Sequence, residues 1–140
     1  MASAFASIEL PASPDQVWQL IGGFDSLPDW LPYIPSSVLS EGGRVRTLAN
    51  PDGEAIVERL LAFDDAARSY SYAILQAPFP VTAYRSTLRV HDLDGHARVE
   101  WCGQFTPAGV GGEEASRLFG DIYRNGLEAL AQAFPARREG

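Results

Sequence analysis

A chain of 140 residues with 46% hydrophobic and 21% charged side chains has enough apolar material for one core and reads as a single domain over residues 1–140. Its formal net charge of -7 excludes a surface built for duplex nucleic acid or anionic membrane. All eleven cations are arginines, so Schiff-base catalysis and lysine-anchored pyridoxal phosphate are excluded, and one cysteine, Cys102, cannot form an intramolecular disulfide.

The chain opens on "MASAFASIELPAS", which lacks a basic start and a sustained apolar run; a cytoplasmic protein with no membrane insertion is expected. "ASIEL" alternates weakly and stops at Pro11, as a first strand entering a turn does. "SPDQ" then signals a helix start, with Ser13 as N-cap, Pro14 at the first helical position and Gln16 closing a capping box. Val17, Trp18 and Ile21 share one face before Gly22 and Gly23 end this short helix. "FDSLPDWLPYIPS" carries three prolines and predicts a brief helical turn from Asp25 to Trp30, then irregular chain.

Strands follow. "SVLSE" and "RVRTLA" are joined through Gly42-Gly43, read as a two-residue hairpin connection. "NPDG", "DDAA" and "DLDG" punctuate the next runs, giving a long antiparallel meander through "EAIVERLLAF", "RSYSYAIL", "TAYRSTLRVH" and "HARVEWCGQF". "QAPFPV" holds two prolines and predicts an open loop, on which Phe79, with Trp30 and Leu31, would form an apolar rim or anchor the loop. In "VEWCGQF" two rows compete for the inside: Val99, Trp101, Gly103 and Phe105, which hydrophobicity favours, or Glu100, Cys102 and Gln104. From Gly111 and the acidic Glu113-Glu114 a helix runs to about Phe134, with Leu118, Phe119, Ile122, Tyr123, Gly126, Leu127 and Leu130 on one apolar stripe. Gly126 on that stripe either leaves room for a guest or lets helix and sheet approach closely. His91 and His96 flank the "DLDG" turn without a third ligand at useful spacing, so neither a metal nor a cofactor is expected.

The order strand, two short helices, six strands and a long terminal helix resembles the START-like (SRPBCC) helix-grip superfamily: the birch pollen allergen, plant abscisic-acid receptors and, nearest, small bacterial polyketide cyclase/dehydrase-like proteins. "SPDQVWQLIGGFDSLPDWLPYI" looks like that family's helix pair, "VERLLAFDD" like its central strand and turn, "YRSTLRV" like the following long strand. The resemblance implies an α+β fold in which a seven-stranded curved antiparallel sheet wraps a long C-terminal helix. Laid over the receptor pattern, the cavity positions fall on Glu58, Tyr72, Tyr84, Ser86 and Glu100, and the receptor's cavity lysine falls on Leu31. The row turned inward would then be Ile56, Glu58 and Leu60, next Tyr70, Tyr72 and Ile74, next Tyr84, Ser86 and Leu88, and finally Glu100, Cys102 and Gln104. The opposite row of the third of these strands, Arg85, Thr87, Arg89 and His91, carries too much charge to be buried unpaired, which supports placing Tyr84 and Ser86 inside.

Two carboxylates in one partly dry cavity would not both ionise readily, making Glu58 and Glu100 the candidate catalytic pair, one of them able to hold a proton near neutral pH. Tyr72 and Tyr84 would orient polar groups of a guest, with Leu31, Leu60, Tyr70, Ser86, Cys102, Gln104, Leu118, Ile122 and Gly126 completing the lining. Three functions stay open: binding of a small hydrophobic or aromatic, polyketide- or lipid-like molecule; a polyketide cyclase, aromatase or dehydratase; and a protein-interaction module. The outward row, Val57, Leu61, Phe63, Leu75, Trp101 and Phe105, is apolar enough to require either a register slip or a second copy of the chain covering it.

Overall fold

A computed structural model describes residues 1–135; residues 136–140, with Arg137 and Arg138, lie outside the described residues. The chain forms β1 (Ala2–Leu10), α1 (Pro14–Ile21), α2 (Leu27–Trp30), β2 (Ser36–Ser40), β3 (Val45–Ala49), β4 (Ala55–Asp64), β5 (Ser69–Gln76), β6 (Val81–Leu93), β7 (His96–Pro107) and α3 (Gly112–Ala133). The seven strands make one antiparallel sheet in the order β1-β7-β6-β5-β4-β3-β2. Helix α3, 22 residues and so about 33 Å long, packs its Ala115, Phe119, Tyr123, Leu127 and Leu130 against the sheet. This is the helix-grip arrangement.

Local chemistry explains the element boundaries. Ser13 accepts the Gln16 backbone N–H at 3.2 Å while Gln16 Oε1 accepts the Ser13 N–H at 3.0 Å, so α1 starts with a reciprocal cap. The β6–β7 turn places Asp94 and Gly95 at φ 55 and 99, the paired positive values of a tight hairpin, and Asp92 Oδ1 accepts the Gly95 N–H at 2.8 Å. Between β2 and β3 the chain makes a 3-10 turn over Glu41–Gly43 instead of the two-residue hairpin expected from Gly42-Gly43; Glu41, Gly42 and Gly43 all take positive φ there.

Side-chain parity decides what the sheet can enclose. On β4, β5 and β6 the inward row is as expected at Ile56, Glu58, Tyr70, Tyr72, Tyr84, Ser86 and Leu88, all buried. On β7 the expected row is reversed: Val99, Trp101, Gly103 and Phe105 face α3, while Cys102 and Gln104 are exposed and Glu100 is half-buried on the convex side. The register requires this, because Ser86 pairs with Gly103 and Arg85 with Gln104, and antiparallel partners share a face. Once the arginines of β6 point to solvent, Gln104 must follow. Phe63 also moves. A bulge between Leu60 and Ala62 advances the strand by one residue, so Phe63 pairs with inward Tyr70 and packs on Trp18 at 5.7 Å between ring centroids. With Trp101, Phe105 and Phe63 removed from it, the apolar excess of the convex face shrinks to residues such as Phe5, Leu61 and Leu75.

Candidate functional site

Between the concave face of the sheet and α3 lies a cavity of about 180 Å³. Its wall is contributed by every layer: Leu27, Leu31, Tyr33 and Ile34 from α2 and the chain after it, Leu48, Ile56 and Glu58 from β3 and β4, Tyr72, Ile74, Tyr84 and Trp101 from β5 to β7, and Phe119, Ile122 and Tyr123 from α3. Asn50 and Pro51 of the β3–β4 turn, with Phe79 of the β5–β6 loop, complete it. A dry protein cavity of about 150 Å³ is known to accept a benzene ring, so this space holds one ring.

Glu58 does not stand beside a second acid. Its partner is Arg46 on β3, fully buried, whose Nε and Nη2 reach Glu58 Oε1 at 2.8 and 2.7 Å. Arg46 Nη1 donates to the Phe24 carbonyl at 3.1 Å and to Tyr70 Oη at 3.3 Å, and the guanidinium lies 4.2 Å from the Phe24 ring centroid and 4.7 Å from that of Tyr72. Burial pushes the Glu58 carboxyl above its ordinary value, and the adjacent guanidinium pulls it only part of the way back. Burial likewise opposes charge on Arg46, yet the neighbouring Tyr70 oxygen and Glu58 carboxylate outweigh it and hold the guanidinium above its usual range. A guanidinium stays charged in proteins, and at this depth an uncompensated one would cost several kcal/mol, so Glu58 serves as its counter-ion.

A second polar network crosses the floor. Trp101 Nε1 donates to Tyr72 Oη at 3.1 Å and to Ser86 Oγ at 3.0 Å, and Ser86 Oγ–H donates to the Cys102 carbonyl at 2.7 Å. Tyr84 and Tyr123 share a hydroxyl–hydroxyl hydrogen bond, and Trp101 stacks on Tyr123 at 4.7 Å. Burial pushes the Tyr72 and Tyr84 phenols well up and that of Tyr123 up to about 12, so all three remain neutral hydrogen-bonding groups at physiological pH.

Of the residues expected at the site, Glu58, Leu31, Tyr72, Phe79, Tyr84 and Ile122 meet at the cavity wall. Tyr70 and Ser86 sit one layer out, supporting Arg46 and Trp101, and Leu60 and Leu118 pack on the core without forming part of the wall. Gly126 leaves no room for a guest: a methyl group there would lie 2.7 Å from Tyr33 Oη, 2.8 Å from Trp101 and 2.9 Å from Leu31. It allows close approach. Trp30, expected at the rim, is buried and packs on Trp101 at 5.9 Å.

Glu100, Cys102 and Gln104 are corrected outright. Glu100 Oε2 lies 3.0 Å from His91 Nε2 on the convex face, and Cys102 and Gln104 border an outer groove with Phe5 and Arg85. Sequence reasoning missed Arg46 altogether, although β3 offered a signal: in register with β4, Arg46 pairs with Glu58 and Leu48 with Ile56, so an inward acid called for an inward base beside it. Among the described residues no cluster of three His, Cys, Asp or Glu side chains could hold a metal, and no helix is long and apolar enough to cross a membrane.

Residues 1–135 match the family described as polyketide cyclase / dehydrase and lipid transport. Protein XoxI from Bacillus cereus shares 60% identity and a TM-score of 0.93, over 96% of each chain. A START superfamily protein from Mycobacterium smegmatis, 16% identical, superposes with a TM-score of 0.77 over 96% of this chain and 97% of its own. An aromatase/cyclase from a Streptomyces species, 19% identical, does so at 0.73 over 94% and 89%. At such identities the likeness concerns the fold. No curated protein matches the sequence.

Proposed function

The chain belongs to the polyketide cyclase / dehydrase and lipid transport family, and from that membership we propose that it binds a small, largely apolar or aromatic molecule in the cavity between the sheet and α3. The observation that carries this reading is the neutralised acid. Glu58 faces the cavity but is held by Arg46, so the wall offers positioning groups within an apolar enclosure, as a binding site does. Affinity would come from Phe119, Trp101, Ile74 and Leu31, and orientation from Glu58 and the tyrosine hydroxyls.

A cyclase, aromatase or dehydratase is the second reading, and the tyrosines favour it, because neutral phenols inside an apolar site can polarise a carbonyl. It needs a group that moves a proton, and with Glu100 on the convex face only Glu58 remains of the two acids expected to do so. Solvent extraction of freshly purified protein followed by mass spectrometry tests the binding reading, which expects a ring-bearing molecule recovered in stoichiometric amount from the wild type. Ile122→Trp, which fills the cavity from α3, should lose that molecule while keeping the wild-type circular dichroism. Equal recovery from wild type and Ile122→Trp would overturn the cavity as the binding site. Conversion of the extracted molecule on incubation, abolished by Tyr72→Phe, would establish the enzymatic reading instead.

A further inference from the structure

The hydrogen-bonding groups of the cavity wall are incompletely used, and what they leave over specifies the guest. Both nitrogens of Arg46 that reach Glu58 contact the same atom, Oε1. Oε2 accepts no hydrogen bond from a described residue, and Glu58, 5% exposed, forms part of the cavity wall. It is an acceptor without a donor. Tyr72, 3% exposed, is its counterpart: Oη accepts from Trp101 Nε1, and its own O–H finds no acceptor among the described residues. Groups left in this condition at a cavity wall hold water or are satisfied by a ligand of complementary polarity.

Charge narrows the class further. Arg46 carries the positive charge of this region but is fully buried and takes no part in the cavity wall. An anionic ligand would therefore set acceptor oxygens against the acceptor Glu58 Oε2 without reaching the guanidinium, and its own desolvated charge would find no cation in the wall. We propose that the cavity selects an uncharged, single-ring molecule with a hydroxyl or N–H donor for Glu58 Oε2 and an oxygen acceptor for Tyr72 Oη, and that it rejects carboxylates, fatty acids among them. This inference rests on the cavity being the binding site, and it adds the charge and polarity of what enters.

Three single-ring probes test it: phenol, toluene and benzoate, titrated at pH 7 into the full-length protein while the indole Nε1–H resonance of Trp101 is followed by NMR. Phenol should bind about tenfold or more tighter than toluene, because toluene leaves both wall groups unpaired, and benzoate should bind weakest of the three. Tyr72→Phe should lower phenol affinity severalfold and leave toluene unchanged, a comparison that leaves the Arg46–Glu58 pair intact. Benzoate binding as tightly as phenol, or toluene matching phenol in the wild type, overturns the selectivity while the cavity reading stands. Failure of all three probes to shift the Trp101 resonance overturns both.

Discussion

Replacing Arg46 with Met keeps the length and apolar body of the side chain and removes the charge. Glu58 is then a buried acid without a counter-ion, and it escapes by taking up a proton. Starting from an unfolded-state pKa of 4.5, holding the carboxyl neutral at pH 7 costs about 3.4 kcal/mol, at 1.36 kcal/mol per pH unit. At pH 5 the same step costs less than about 1 kcal/mol. Loss of the bonds to the Phe24 carbonyl and Tyr70 hydroxyl adds roughly 1 kcal/mol each at either pH. The sign follows from linkage: in the variant the folded-state pKa lies above the unfolded one, so stability is full below pH 4.5 and declines as pH rises. Urea denaturation of wild type and R46M at pH 5 and pH 7, followed by tryptophan fluorescence, should give a larger destabilisation at pH 7, by up to about 2.5 kcal/mol, the full difference applying where Arg46 holds the wild-type carboxyl near its unfolded value. Adding Glu58→Leu to R46M should remove that pH dependence and recover part of the loss, since an apolar pair replaces a broken ionic one. An R46M penalty identical at both pH values would mean that the Glu58 carboxyl is already protonated beside Arg46, and the ion-pair account would fail.

Alkaline titration should destabilise the protein between the unfolded tyrosine value near 10 and about 12, because Tyr123 binds its proton more tightly when folded; stability is full below pH 10 and falls above it, read from ultraviolet phenolate absorbance alongside circular dichroism. Gly103→Ala would drive a methyl group into Tyr123 Oη on a strand facing the helix, and should cost roughly 1–3 kcal/mol by urea denaturation while displacing the Tyr84–Tyr123 contact. Gly126→Ala opposes a helix-propensity gain of about 1 kcal/mol to crowding by Tyr33, Trp101 and Leu31; a net loss of about 1 kcal/mol in stability is expected, and a net gain would show that α3 can move away from the sheet.

Most of the architecture was legible because local signals agreed with one another. The Ser13–Gln16 cap, the Asp94–Gly95 hairpin and the α3 stripe each stand where sequence chemistry placed them. Charge on β6 was a sound guide to parity, since Arg85, Arg89 and His91 cannot share a dry interior. The error on β7 came from setting a pattern borrowed from distant proteins above the hydrophobicity of Trp101 and Phe105; the pairing of Arg85 with Gln104 would have corrected it. Phe63 was unreadable for another reason. A bulge changes parity in mid-strand, and nothing in "ERLLAFD" marks where the extra residue falls. Arg46 was hidden by its type, because a strand arginine ordinarily reaches water and its burial depends on Phe24, Glu58 and Tyr70 arriving from three other segments.

That convergence bears on the order of events when the chain folds and unfolds. Arg46 closes contacts across 22, 12 and 24 residues of sequence, and its dehydration is repaid only when all of them are made together. Such a knot tightens after the strands have aligned, so loosening it should hasten escape from the native state and leave the refolding rate nearly untouched.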